Sequence, residues 1–219
     1  MIELLPIRIA TLLLTLGLAP ADKPWTEKPQ AEWTLEDSQA VLWDSPWVEH
    51  KTFTDYVTHR FFREVRCYAR LHSARPVRLA LARLAQYQPG RHLRYAGPID
   101  NDTVLETAQS LDTPGEISLT LTCTARRYRW MLEAESFEAL RDSTYLILGK
   151  GKKKLPLAFY HPPSQTISRD ALLRFRRPDG LDSLGKEIRF VCRFGTRRKV
   201  ELDFKFKLKD LIFEGRLEY

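Results

Sequence analysis

The chain has 219 residues, 43% of them hydrophobic and 29% charged, with a formal net charge of +7. That length suits one substantial domain and is marginal for two, and the composition excludes a largely disordered chain. The positive balance favours polyanionic neighbours such as nucleic acid, anionic lipid headgroups or acidic glycans, and by itself names no function.

Arg8 precedes an apolar run, Ile9–Leu18, and Ala19-Pro20-Ala21 supplies the small residues of a cleavage site before Asp22. This order of charge, short apolar core and A-x-A predicts a secretory signal peptide over residues 1–21. The alternative is a buried N-terminal helix, because Glu3 and Pro6 are unusual in a charged leader. The apolar run is shorter than the about 20 residues of a transmembrane helix, and no later segment reaches that length. Cleavage near Ala21 predicts a periplasmic or secreted protein with one domain over 22–219. The removed segment carries one Arg and one Glu, so the charge stays at +7.

Residues 22–33 hold two prolines and no periodicity and read as an extended arm. Thr34 is a helix cap with Asp37 three residues on, and the helix runs Leu35–Trp43 before Pro46 stops it. The stretch from about 53 to 72 is ambiguous at its start and strand-like from Glu64. Pro76 opens a helix whose apolar face is Val77, Leu79, Ala80, Leu81, Leu84 and Ala85, and Pro89-Gly90 ends it. Asp100 or Asp102 caps a short helix through Leu111. After the turn Thr113-Pro114-Gly115, Glu116–Ala125 alternates as a strand, and Glu133–Arg141 reads as a helix. Thr144–Gly149 and Lys154–Tyr160 form a hairpin around the glycine-lysine turn, and His161-Pro162-Pro163 breaks it. Ala171–Arg177 is a further strand. Ile188–Phe194, Val200–Leu208 and Leu211–Tyr219 complete a three-stranded antiparallel meander, apolar on one face and charged on the other. Short strands with three or four short helices, without βαβ alternation, predict an α+β fold, mostly antiparallel; strong curvature or a barrel-like form is left open.

The three cysteines, Cys67, Cys123 and Cys192, each fall on the apolar phase of a strand. The simplest reading is three buried thiols acting as small hydrophobes, with one core disulfide as the alternative.

The short signatures of catalysis and nucleotide binding are absent: no G-x-S-x-G, no P-loop, no G-x-G-x-x-G after a strand, no H-E-x-x-H. Asp55 and His59 are four apart, but no third metal ligand is visible. Asp100-Asn101-Asp102 is better explained as a helix cap than as a cation site. No metal site, cofactor or catalytic residue is assigned. Two clusters have binding chemistry. Lys150, Lys152, Lys153 and Lys154 sit at the hairpin tip, where a solvated turn is the plain alternative. Arg126, Arg127, Arg129 and Trp130 interleave cations with an indole, a mix that grips anions and stacks on planar or sugar groups. Their plain alternative is a strand end whose aromatics pack and whose arginines snorkel.

Three tryptophans crowd the stretch WTLEDSQAVLWDSPW, Trp33–Trp47. Large indoles next to a capped helix read as a clasp fastening the chain to its core, with a ligand box as the alternative.

Trp33-Thr34-x-x-Asp37 with Asp44-Ser45-Pro46-Trp47, Ser73-Ala74-Arg75-Pro76-Val77-Arg78-Leu79-Ala80-Leu81, and the C-terminal run Phe206-Lys207-Leu208-Lys209-Asp210-Leu211-Ile212-Phe213-Glu214-Gly215-Arg216-Leu217-Glu218 together resemble a family of exported soil-bacterial proteins of no assigned activity. The resemblance implies export and a shared domain, and no site residue. The predicted function is a non-enzymatic binding or interaction module of the cell envelope. Its partner would be an anionic envelope polymer or another envelope protein. The alternatives are an exported hydrolase with a non-local site, and a polyanion- or nucleic-acid-binding protein; nucleic acid is the less natural partner outside the cell.

Overall fold

A computed structural model describes residues 23–56, 62–87, 100–149, 153–166, 169–178, 185–195 and 199–219. The expected leader over 1–21, together with His59, His92, Lys150 and Lys152, lies outside the described residues.

The expected arm contains two single turns, helix α1 (Pro24–Glu27) and a 3₁₀ turn at Gln30–Glu32. Helix α2 (Leu35–Asp44) starts as anticipated. Thr34 Oγ1 accepts from the Asp37 amide at 3.1 Å, and the Asp37 carboxylate accepts from the Thr34 amide at 2.9 Å. Strand β1 (Val48–Tyr56) reaches only with its end into the stretch from about 53 that reads ambiguously, and its first residues carry no assignment from the sequence. It is an edge strand with few buried side chains, so its alternation is muted in sequence. Strand β2 (Phe62–Leu71) pairs with it antiparallel, Val48 opposite Arg70 and Tyr56 opposite Phe62. Helices α3 (Arg75–Tyr87) and α4 (Asn101–Ser110) follow, and Asp100 caps α4. Arg83 of α3, 2% exposed, donates to the Trp33 carbonyl and to Asn101 Oδ1, tying the arm to both helices.

Strand β3 (Glu116–Cys123) ends two residues short of the prediction. Arg126 opens helix α5 (Arg126–Glu133), so the cation-indole cluster is helical and not a strand end. The helix expected over Glu133–Arg141 is split between the end of α5 and one turn, α6 (Phe137–Leu140). Six α-helices are therefore seen among the described residues, two of them only four residues long.

Strand β4 (Tyr145–Leu148) pairs with β5 (Lys153–Pro156) as the expected hairpin. The chain then leaves that sheet. Pro156 has no amide hydrogen to continue a ladder, Leu157 is buried at 4% exposure, and β6 (Phe159–His161) joins the other sheet. Strand β7 (Ala171–Arg176) lies between β3 and β6. Strands β8 (Glu187–Phe194) and β9 (Val200–Lys207) pair as predicted. The third meander strand does not form. A 3₁₀ turn at Leu208–Asp210 redirects the chain into a separate miniature hairpin, β10 (Ile212–Phe213) and β11 (Arg216–Leu217). Strand β4 takes the free place beside β8.

The result is an α+β fold of two antiparallel sheets, ordered β1-β2-β3-β7-β6 and β5-β4-β8-β9. Their apolar faces meet: Phe175 of β7 lies 6.1 Å from Phe190 of β8, which stacks on Phe204 of β9 at 5.8 Å. Edge strands β1 and β9 approach each other, but the sheets do not close into a barrel. One contiguous core runs from Trp33 to Tyr219.

The cysteine reading is corrected. Cys67 on β2 stands opposite Cys123 on β3, Cα atoms 4.0 Å apart, and the two form a disulfide. Both were on the apolar phase, as the alternation requires; the register between strands 56 residues apart decides that they meet. Cys192 is the free, buried thiol, and burial pushes its pKa up to about 12.

Candidate binding surface

The indole stretch divides in two. Trp33 and Trp47 are 1% and 0% exposed and pack against Phe213. Trp33 Nε1 donates to the Pro24 carbonyl at 3.2 Å, and Trp47 Nε1 donates to the Glu218 carbonyl at 2.8 Å. These two clasp the first helices and the C-terminal hairpin onto the core. Trp43, on the other side of α2, is 50% exposed and belongs to the surface.

The predicted cation cluster is a helix face. Tyr128 and Leu132 turn into the core, with the Tyr128 ring 5.2 Å from Phe53. Tyr160, whose hydroxyl donates to the Leu132 carbonyl at 2.5 Å, fixes the end of α5. A helix built on those anchors turns Arg126, Arg127, Arg129 and Trp130 outward, and all four are exposed. The Arg126 guanidinium lies 4.5 Å from the Trp130 ring centroid, a cation–π pair one turn apart. Arg127 reaches the buried Asp55 carboxylate at 3.8 Å, and Arg63 reaches the same carboxylate at 3.3 Å. Asp55 thus staples α5 to the β1–β2 hairpin. At that hairpin's end the paired Tyr56 and Phe62 are 65% and 73% exposed. With Trp130 at 59%, the three most exposed large apolar side chains among the described residues belong to these joined elements.

The start of α5 carries no acidic residue, and Ala125 offers no side-chain cap. Cations near a helix N-terminus oppose the helix dipole and cost about 0.3–1 kcal/mol each. The local sequence therefore works against the helix, and an approaching anion would offset the dipole at its start.

The lysine cluster is less organised. Lys153 and Lys154 are exposed on β5, and the Lys154 ammonium lies 4.4 Å from the Tyr145 ring. Among the described residues no ion pair joins them to the arginine helix.

The remaining chemistry is scattered. His161 Nδ1 lies 3.4 Å from Gln165, His50 lies against Tyr68, and His72 Nδ1 is buried without a hydrogen-bond partner. Asp55 is engaged by arginines, and Asp100 accepts from the Asp102 amide as a cap. Among the described residues no group of three or more His, Cys, Asp or Glu is placed to hold a metal ion. No helix there is long and apolar enough to cross a membrane.

Fold and surface together define a two-sheet α+β protein with a basic-aromatic end. No family model, curated protein or solved structure matches the chain.

Proposed function

We propose that this protein is an exported, non-enzymatic binding module that holds an anionic envelope polymer on α5 and the adjoining hairpin end. One observation carries the reading: an uncapped helix begins with outward arginines, one stacked on an exposed indole, where the helix dipole already favours anions. Export is supported by the charge–apolar–A-x-A order of the first residues, by the resemblance to exported soil-bacterial proteins, and by the Cys67–Cys123 disulfide, a bond that persists in oxidising compartments.

The test is binding of a polyuronate chain followed by calorimetry at rising salt. Arg126 and Arg129 are the residues to reverse, because Arg127 also serves the buried Asp55. Affinity is expected to fall with salt, and Arg126→Glu with Arg129→Glu to weaken it by about tenfold or more at low salt. Equal affinity of the pair variant and the parent would overturn the assignment.

A further inference from the structure

The five-stranded sheet ends in β1 and β6, and the four-stranded sheet ends in β5 and β9. Two of these edges are blunted. Strand β6 has three residues, and β5 carries Pro156, which has no amide hydrogen. Strands β1 and β9 have nine and eight residues, contain no proline, and approach each other along one side of the molecule.

Hydrogen bonding at the strand ends shows which backbone groups of these two edges face outward. The Leu71 amide donates to the Trp47 carbonyl at 2.9 Å and extends the β1–β2 register, so Trp47 and every second residue after it bond to β2. In an antiparallel pair the intervening residues point the other way. The amides and carbonyls of Val48, His50, Thr52 and Thr54 therefore face away from the sheet. The Leu208 amide likewise donates to the Lys186 carbonyl at 2.9 Å, which turns the backbone groups of Glu201, Asp203, Lys205 and Lys207 away from β8. Among the described residues no backbone hydrogen bond joins β1 to β9.

The side chains of β1 explain why the two edges do not zip together. Glu49 and Lys51 stand opposite the buried Ala69 and Cys67, so they share the phase that faces the core. Pairing β1 with β9 would press both charges against the apolar phase of β9, which is Leu202, Phe204 and Phe206. Burial already pushes the Glu49 carboxyl above its ordinary value. Inward-pointing charges keep a strand edge from pairing. Between Lys51–Phe53 and Lys199–Asp203 a cavity of about 390 Å³ stays open, backed by the Tyr128 ring.

The charges around this cavity are unequally engaged. Arg189 Nε donates to the Asp203 carboxylate at 2.7 Å, and Arg193 Nε reaches the Glu201 carboxylate at 3.0 Å. Lys51 and Lys199 are exposed and form no ion pair among the described residues. A free strand edge takes an extended peptide through main-chain hydrogen bonds, and the side chains beside it choose which peptide. Two ammonium groups beside arginine-bound carboxylates choose an acidic one.

We infer that the slot between β1 and β9 binds an acidic peptide segment in extended conformation, which adds to the free edge of β1 at Thr52 and sets carboxylates against Lys51 and Lys199. Arg126 and Arg129 do not line this slot, so the inference is independent of the polymer assignment.

Fluorescence polarisation with a labelled peptide alternating valine and glutamate tests it. The peptide is expected to bind, and its counterpart alternating valine and lysine is not. Methylating alternate amide nitrogens of the acidic peptide, on the edge that would face β1, should abolish binding, because the main-chain donors are lost. Hydrogen exchange at the Thr52 and Thr54 amides should slow when the peptide is bound. Lys51→Glu with Lys199→Glu should weaken binding by about tenfold or more. Both lysines are exposed, and thermal melts verify that this variant folds. The Arg126→Glu and Arg129→Glu pair should leave peptide binding unchanged, so the slot and the polymer site fail or succeed separately. The inference is overturned if the acidic peptide does not bind, if its methylated form or the lysine counterpart binds equally well, or if the lysine reversals leave affinity unchanged. Loss of binding in the arginine pair variant would also overturn it, because the peptide would then sit on α5.

Discussion

Removing the Cys67–Cys123 bond should destabilise the protein mainly through its unfolded state. The two strands already lie side by side by register, so the native fold needs little from the cross-link. The unfolded chain, however, is closed into a loop by a bond between residues 56 apart. The loop-entropy relation gives about 14 cal/mol/K for such a loop, or about 4 kcal/mol at 25 °C. For a chain of this size each kcal/mol moves the melting temperature by about 2–4 °C, so the expected drop is about 8–16 °C. Both sulfurs are buried, at 0% and 2% residue exposure, so reduction should be done in denaturant before refolding under reductant. Thermal melts of the oxidised protein, the reduced protein and the Cys67→Ala/Cys123→Ala variant should show the last two shifted together. Thiol titration of the unfolded, unreduced chain should find one free thiol, Cys192, of the three cysteines. Coincident melts of oxidised and reduced protein, or three titratable thiols before reduction, would refute the reasoning.

Trp47→Ala should cost about 3–5 kcal/mol in denaturant unfolding, because it empties a fully buried indole site against Trp25 and Phe213. Trp47→Phe keeps most of that apolar contact but removes the donor to Glu218, and should cost about 1–3 kcal/mol. A loss well below 1 kcal/mol for the alanine variant would show that the clasp is not what fastens this end. His72 predicts an acid-sensitive component of stability. Its folded pKa is lowered from 6.5 to about 4 by burial and then by Arg70, Arg78 and Arg174. The unfolded chain therefore binds the proton more readily. The stabilisation is complete above pH 6.5 and is lost as the pH falls from there to about 4, by roughly 3 kcal/mol in all. His72→Gln should flatten that part of the pH profile in guanidinium unfolding at pH 7, 5.5 and 4.5. Parallel losses in parent and variant would show that His72 is not the group responsible.

Much of the local order was legible in the chain. Thr34 and Asp37 made their reciprocal cap, because a capping box needs only residues three apart. Strands β8 and β9 followed from strict alternation, since a face packed on a core demands period two. The arginines and indole of α5 were visible as binding chemistry, but their conformation was misread. Arg126–Trp130 has neither an acidic first turn nor a side-chain cap, the marks by which a helix start is recognised.

What lay beyond the sequence was everything set by neighbours distant along the chain. Alternation placed Cys67 and Cys123 on apolar faces, and only the β2–β3 register made them partners. Leu211–Tyr219 continued an apolar pattern, yet Phe213 found Trp33 and Trp47 and left the sheet. Lys154–Tyr160 looked like one strand until Pro156 and the buried Leu157 carried it from one sheet to the other. Strand register sets Arg70, Thr120, Leu172 and His161 side by side across β2, β3, β7 and β6, a neighbourhood that no single strand reveals. Caps, strand phases and turns could be read from the chain because they depend on residues a few positions apart, and the total charge because it is a plain sum over them. The disulfide, the two-sheet partition and the split of Trp33, Trp47 and Trp43 into two buried clasps and one exposed ring were set by the packed fold. Those depend on which strands pair, and pairing is settled by burying both sheets' apolar faces at once.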